Sequence, residues 1–203
     1  MRRWDCCKPS GSWTGKADVN APVGACAKDG KTVLSDRNAQ NACQGGPSYM
    51  CNKNQPWAAD ATRSYGFAAA ALMGKKESDW LCGCYALKFT SGAVKGTTHV
   101  VQVIDTAGTD GKSNVFDLLI PGGGVGIFNG CQGQWNAPAD GWGARYGGVS
   151  SRSECAGLPA DLQAGCNWRF DWFKNADNPT VSFRRVKCPK VITDRSQCIR
   201  KVE

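Results

Sequence analysis

Four stretches of the chain set their apolar residues at the spacing β-strands require. Residues 84–90 and 180–186 alternate apolar and polar side chains, predicting half-buried strands. Residues 99–104 are almost continuously apolar, which predicts a strand covered on both faces. Residues 114–120 form a fourth candidate, apolar after Asn114 except for a carboxylate at its centre, Asp117. The alanine-rich segment 60–73 predicts a helix opening from an Asp or Thr cap. Residues 159–164 read as a single short turn, and 168–173 fit either a short helix or a strand. Glycine, with 25 residues of 203, punctuates the chain and favours short strands and turns over long helices. The pattern predicts a β-rich domain with long ordered loops and a few short helices. No linker or internal repeat divides it, so residues 1–203 read as one domain.

Cysteine changes how such a domain holds together. Twelve cysteines accompany a single histidine, His99, and there is no repeated C-x-x-C pair. That spacing fits disulfides rather than a metal site, and disulfides place the chain in an oxidising compartment. The chain therefore reads as secreted, its leader already removed, with no metal or cofactor. The longest apolar run, residues 67–73, is too short to cross a membrane. The formal charge is +8, but the basic residues are scattered, with short groups at Lys75-Lys76 and Arg184-Arg185-Val186-Lys187. No nucleic-acid-binding motif accompanies them, so the charge reads as a solvated basic surface. Neither nucleic acid nor membrane is expected as a partner, and the chain is expected to be a monomer.

Two carboxylates carry the candidate chemistry. Asp5 lies between Trp4 and the adjacent pair Cys6-Cys7, at what reads as a polar edge pinned by disulfides, where it would stay ionised. Trp4 offers a flat apolar surface beside it. Asp117 lies among Val115, Phe116, Leu118 and Leu119, where desolvation favours the protonated form. One ionised and one protonated carboxyl group is the pairing used in glycoside hydrolysis. For Asp117 the alternative is a buried residue bonded to backbone amides. A third acid, Asp110, sits on a glycine-flanked loop, where it would bind substrate, tune Asp117 or end a turn. The run Gly122-Gly123-Gly124 lacks the Gly-Lys-Ser/Thr ending of a phosphate loop, and reads instead as backbone passing close to a strand or ligand.

Trp4-Asp5-Cys6-Cys7-Lys8-Pro9-Ser10 resembles the opening signature of glycoside hydrolase family 45, the small secreted endoglucanases. The resemblance continues through Tyr65-Gly66-Phe67-Ala68-Ala69, Phe116-Asp117 and Ile120-Pro121-Gly122-Gly123-Gly124-Val125-Gly126. It extends to Arg145-Tyr146-Gly147-Gly148 and to the run from Trp168 to Pro179. It implies a six-stranded double-psi β-barrel with long disulfide-linked loops and a few short helices. It also implies a single catalytic domain over 1–203, with no linker or carbohydrate-binding module. The implied activity is endo-hydrolysis of β-1,4-glucan with inversion, Asp5 as general base and Asp117 as general acid. By the same resemblance Asp110 is an auxiliary carboxylate, and Trp4, Trp13, Tyr146 and Asn178 line the groove.

The implied disulfides are Cys6–Cys131, Cys7–Cys43, Cys26–Cys51, Cys82–Cys198, Cys84–Cys188 and Cys155–Cys166. A further family bridge is absent because Gly11 and Leu81 occupy its two positions. Arg3 stands where an aromatic residue is common, Val115 stands where a histidine often precedes Phe-Asp, and the loop 106–112 is one residue longer than in fungal members. The rival reading is a non-catalytic, expansin-like wall-loosening protein, which shares the barrel and usually one of the two acids.

Overall fold

The computed structural model describes residues 2–202. Its strands are β1 (Arg2–Arg3), β2 (Ala25–Cys26), β3 (Tyr49–Met50), β4 (Trp57–Ala58), β5 (Arg63–Ala71), β6 (Cys84–Phe89), β7 (Thr98–Thr106), β8 (Val115–Leu119) and β9 (Val181–Val186). The α-helices are α1 (Glu77–Trp80), α2 (Gly130–Trp135), α3 (Ala160–Asp171) and α4 (Lys190–Ser196). The main sheet runs β1-β8-β5-β7-β6-β9, with β4 also on β5, while β2 and β3 form a separate pair. β1 is parallel to β8 and β5 is parallel to β7; the other pairings are antiparallel.

The described hydrogen bonds trace an open path rather than a closed ring. Aromatic contacts draw its two arms together instead. Phe116 of β8 meets Tyr85 of β6 at 5.6 Å and Phe183 of β9 at 5.1 Å, between ring centroids.

The four expected strands are present as β6, β7, β8 and β9. β7 is buried on both faces from His99 to Ile104, as its continuous hydrophobicity predicts: β5 and β6 cover its edges, while Val100 and Ile104 pack into one core cluster and Val101 and Val103 into another. β9 differs from its half-buried expectation: it is an edge strand whose central four residues are exposed. Its Arg184 and Arg185 make that edge a poor template for pairing with another chain.

The segment 60–73 corrects the sequence reading, because it holds a strand, β5, and no helix. Alanine favours a helix by well under 1 kcal/mol per residue. β5 instead bonds to β7 and β8, and Ala68 to Ala71 are at most 5% exposed. Tertiary burial outweighs a propensity of that size. The capping residue is real but has another use: Asp60 Oδ1 accepts from the N–H groups of Thr62 and Arg63, shaping the turn between β4 and β5.

The short turn expected at 159–164 is the first half of α3, which continues to Asp171 and absorbs most of 168–173. Gly165 concealed that continuity, yet glycine is required there. A Cβ at this position would sit 2.8 Å from Pro121 Cδ and 2.7 Å from Gln55 Oε1.

Candidate active site

β1 and β8 build the site together. Their parallel register sets Arg2 beside Leu118 and Arg3 beside Leu119, so the segment leaving β1 passes the strand that carries Asp117. Asp5 and Asp117 open into one cleft of about 460 Å³. Asp117 is 7% exposed and Asp5 is 5% exposed.

Backbone contacts hold the Asp5 segment on both sides. Trp4 N–H donates to Gly124 O at 2.8 Å, Gly130 N–H donates to Asp5 O at 2.8 Å, and Met50 N–H donates to Cys6 O at 3.1 Å. The glycine run makes this approach possible. A Cβ on Gly123 would lie 2.8 Å from Ile120 O and 3.2 Å from Arg3 N, and Gly124 has φ +99°. Six disulfides join Cys6–Cys131, Cys7–Cys43, Cys26–Cys51, Cys82–Cys198, Cys84–Cys188 and Cys155–Cys166, the pairs the family resemblance implies. The first two fix the residues immediately after Asp5.

The environment of Asp5 corrects the sequence reading. The residue is buried, not at a polar edge, and burial pushes its carboxyl above the usual range. Arg3 works against that shift, Asp105 adds to it, and the Cys7 N–H, donating at 2.9 Å, lowers it again. Arg3 itself is lowered by burial, but the nearby Asp5, Asp105 and Asp117 outweigh that effect and raise it.

Of the other expected site residues, Tyr146 and Asn178 line the cleft, and Tyr146 is 72% exposed. Trp4 does not: its indole is 2% exposed, packed in the core with Phe67, Val125 and Leu119. The flat surface expected beside Asp5 faces inward because Trp4 alternates with Arg3 and Asp5, and its side is the apolar one. Trp13 lies outside the cleft wall, with Lys8 Nζ 3.3 Å above its ring. Asp110 also lies off the wall. It accepts from Lys112 N–H at 2.9 Å, which is a turn contact, while Gly108 of the same loop reaches the cleft.

Sequence reasoning overlooked three contributors. Ile127 and Phe128 line the cleft at 77% and 55% exposure, large apolar side chains directly after the glycine run. Asp105 is the third, and its signal was an acid ending a continuously buried strand. Among the described residues no group of three or more His, Cys, Asp or Glu is placed to hold a metal ion.

The family model for glycosyl hydrolase family 45 matches residues 1–199. An endoglucanase of Cryptopygus antarcticus is 57% identical over 199 residues, covering 98% of this chain and 87% of that protein. A putative endoglucanase type K of Fusarium oxysporum is 52% identical over 200 residues, covering 98% of this chain and 52% of that protein. The crystal structure of the cellulase from the Antarctic springtail Cryptopygus antarcticus superposes with a TM-score of 0.96. It is 56% identical and covers 100% of this chain and 96% of that one.

Proposed function

The chain belongs to glycosyl hydrolase family 45, and on that premise we propose that it acts as an inverting endo-β-1,4-glucanase, with Asp5 as general base and Asp117 as general acid. The observation that carries this is the cleft itself: two buried carboxyl groups from adjacent segments open into one groove walled by exposed Tyr146 and Phe128. Apolar and aromatic walls suit the faces of glucosyl rings. Carboxyl groups on either side of a glycosidic bond suit the chemistry.

In the proposed reaction Asp117 gives its proton to the glycosidic oxygen as the C1–O bond breaks. Asp5 takes a proton from a water that attacks C1 from the opposite face. The product carries the inverted configuration, and the two groups end with their protonation states exchanged, to be reset by solvent. Room for the water requires a separation of roughly 6.5–9.5 Å between the carboxyl groups. An Asp5 held back by burial would be the weaker choice if it were alone. Arg3 and the Cys7 N–H favour its ionised form, which a base requires.

Asp110 is read as an auxiliary carboxylate on the loop whose Gly108 already reaches the cleft. Tyr146 and Asn178 are read as binding the glucan, with Trp13 an outlying contact. The sheet is read as the six-stranded double-psi barrel typical of the family, and residues 1–203 as a single catalytic domain. A secreted monomer acting on β-1,4-glucan completes the proposal.

The test is to incubate the protein with cellohexaose and follow new reducing ends and their anomers by NMR. Shorter oligosaccharides appearing first as the α-anomer are expected. First release of the β-anomer would refute inversion, and wall creep without new reducing ends would point to a wall-loosening protein. Asp5→Asn and Asp117→Asn should each abolish turnover while all six bridges form. Near-normal turnover in either would remove that residue's role.

A further inference from the structure

We propose that Arg3, held by Asp105, is the positioning residue of the base: it fixes the Asp5 carboxylate at the cleft and keeps it ionised. This rests on the reading of Asp5 as general base.

The sheet register sets the arrangement up. In the β5–β7 pairing Ala68 faces Val103, but Ala69 faces Asp105, so Ile104 is an extra residue in β7. Such a bulge re-aims the side chains that follow it. Across β5's other edge Ala69 also faces Asp117. Directly paired residues project from the same face of a sheet, so Asp105 and Asp117 flank Ala69 in one row, about 10 Å apart at two strand spacings. Ala69 offers only a methyl group between them and is fully buried.

Arg3 spans this space. Its Nη2 donates to Asp105 Oδ2 at 2.5 Å, and its Nε lies 3.5 Å from Asp5 Oδ2. Each carboxylate is anchored on its other oxygen by a backbone amide: Ser10 N–H reaches Asp105 Oδ1 at 2.8 Å, and Cys7 N–H reaches Asp5 Oδ1 at 2.9 Å. The result is a chain of contacts from Ser10 through Asp105 and Arg3 to Asp5. Its members are mostly shielded, with side-chain exposures of 22% for Asp105, 23% for Arg3 and 7% for Asp5.

The chemistry follows from the charge count. Three carboxyl groups, Asp5, Asp105 and Asp117, act on one guanidinium, which stays protonated and presents a rigid fork of donors. Without that cation, burial and the charge on Asp105 would both favour the neutral form of Asp5. A neutral Asp5 cannot take a proton from water. Arg2, Arg145, Tyr146 and Asp177 also line the cleft and remain unchanged in the variants below.

Arg3 and Asp105 act on Asp5 with opposite sign, and this separates the proposal from a merely structural role. The experiment measures kcat and kcat/KM on cellohexaose against pH for Arg3→Gln, Arg3→Lys, Asp105→Asn and Asp5→Asn. Arg3→Gln should lose about tenfold to a hundredfold in kcat through misplacement of the base. Its acidic limb, which reports the base, should move up by about one pH unit or more. Arg3→Lys, which keeps the charge and loses the fork, should restore the limb but only part of kcat. Asp105→Asn should lower kcat with the limb unmoved or displaced downward.

An acidic limb at the wild-type position in Arg3→Gln would overturn the inference, as would an upward shift in Asp105→Asn. If Arg3→Gln does not fold, Arg3→Lys and Asp105→Asn decide: a Lys limb displaced upward, or an upward shift in Asp105→Asn, would overturn it. Turnover retained by Asp5→Asn would remove the base reading and this inference with it. An inactive Asp5→Asn beside an unshifted Arg3→Gln would remove this inference alone.

Discussion

Replacing Cys6 and Cys131 together by alanine should cost more stability than removing a comparably buried bridge elsewhere. The six bridges fall into two sets. Cys7–Cys43 and Cys26–Cys51 lie within the first quarter of the chain, whereas Cys82–Cys198, Cys84–Cys188 and Cys155–Cys166 lie beyond residue 81. Cys6–Cys131 joins the two sets, across a sequence separation of 125. With it gone, the shortest covalent path between these positions runs through Cys7–Cys43 and then along the chain, about ninety residues.

In the chain-entropy account, closing a loop of that length is worth about 4.6 kcal/mol, against about 2.8 kcal/mol for the 11-residue separation of Cys155–Cys166. All four sulfurs belong to residues no more than 1% exposed, so the cavity penalties are similar and largely cancel in the comparison. The predicted difference is about 2 kcal/mol. In a domain of this size it corresponds to melting temperatures roughly 10–18 °C below wild type for the Cys6/Cys131 variant and roughly 5–11 °C below for the Cys155/Cys166 variant. Differential scanning calorimetry of both double variants measures this directly. Equal losses, or a larger loss for Cys155/Cys166, would refute the topological argument.

Introducing a bridge between positions 11 and 81, the further pair that the family resemblance suggests, by Gly11→Cys and Leu81→Cys should not raise the melting temperature, even fully oxidised. A Cβ at position 11 would sit 2.7 Å from Ile104 O, an overpacking that costs about 1–3 kcal/mol, and shortening the fully buried Leu81 to Cys adds a cavity penalty. Burial pushes His99 down to about 3, below the unfolded value of about 6.5, so the folded state favours the neutral ring. The associated stability is intact above about pH 6.5 and drains as pH falls toward 3, by roughly 5 kcal/mol in total, and His99→Gln should flatten urea-unfolding free energy over that window. Trp4→Ala should behave as a core mutation, costing roughly 3–5 kcal/mol by urea denaturation, rather than as a selective loss of substrate affinity.

What the sequence disclosed depended on whether a local pattern and its tertiary setting agreed. β7 was legible because a strand covered on both faces must be largely apolar, and its four β-branched residues, Val100, Val101, Val103 and Ile104, favour a strand over a helix. β5 was not, because four alanines carry no record of the partners that bury them, and propensity then points to the wrong element. The two carboxylates were visible as chemistry, Asp117 by its apolar strand and Asp5 by its motif. The setting of Asp5 was hidden. It depends on contacts with Gly124 and Gly130 that no local window contains, and they bury a residue that its neighbours make look exposed.

Asp105 was hidden for a subtler reason. Counting alternation along β7 without the bulge would set Ile104, not Asp105, opposite Ala69. One inserted residue therefore decides whether that position offers the site a methyl-rich side chain or a carboxylate. The carbonyl of that inserted Ile104 also lies where a Cβ on Gly11 would meet it at 2.7 Å, which leaves no room for a larger residue. Position 11 and the Arg3–Asp105 pair thus meet at neighbouring residues of β7. A chain that kept a cysteine at position 11 would have to move the Ile104 backbone, and with it the carboxylate that holds Arg3. The glycine at position 11 and the arginine beside the base therefore adjoin the same bulge of β7, and substitutions at either should be tested in the background of the other.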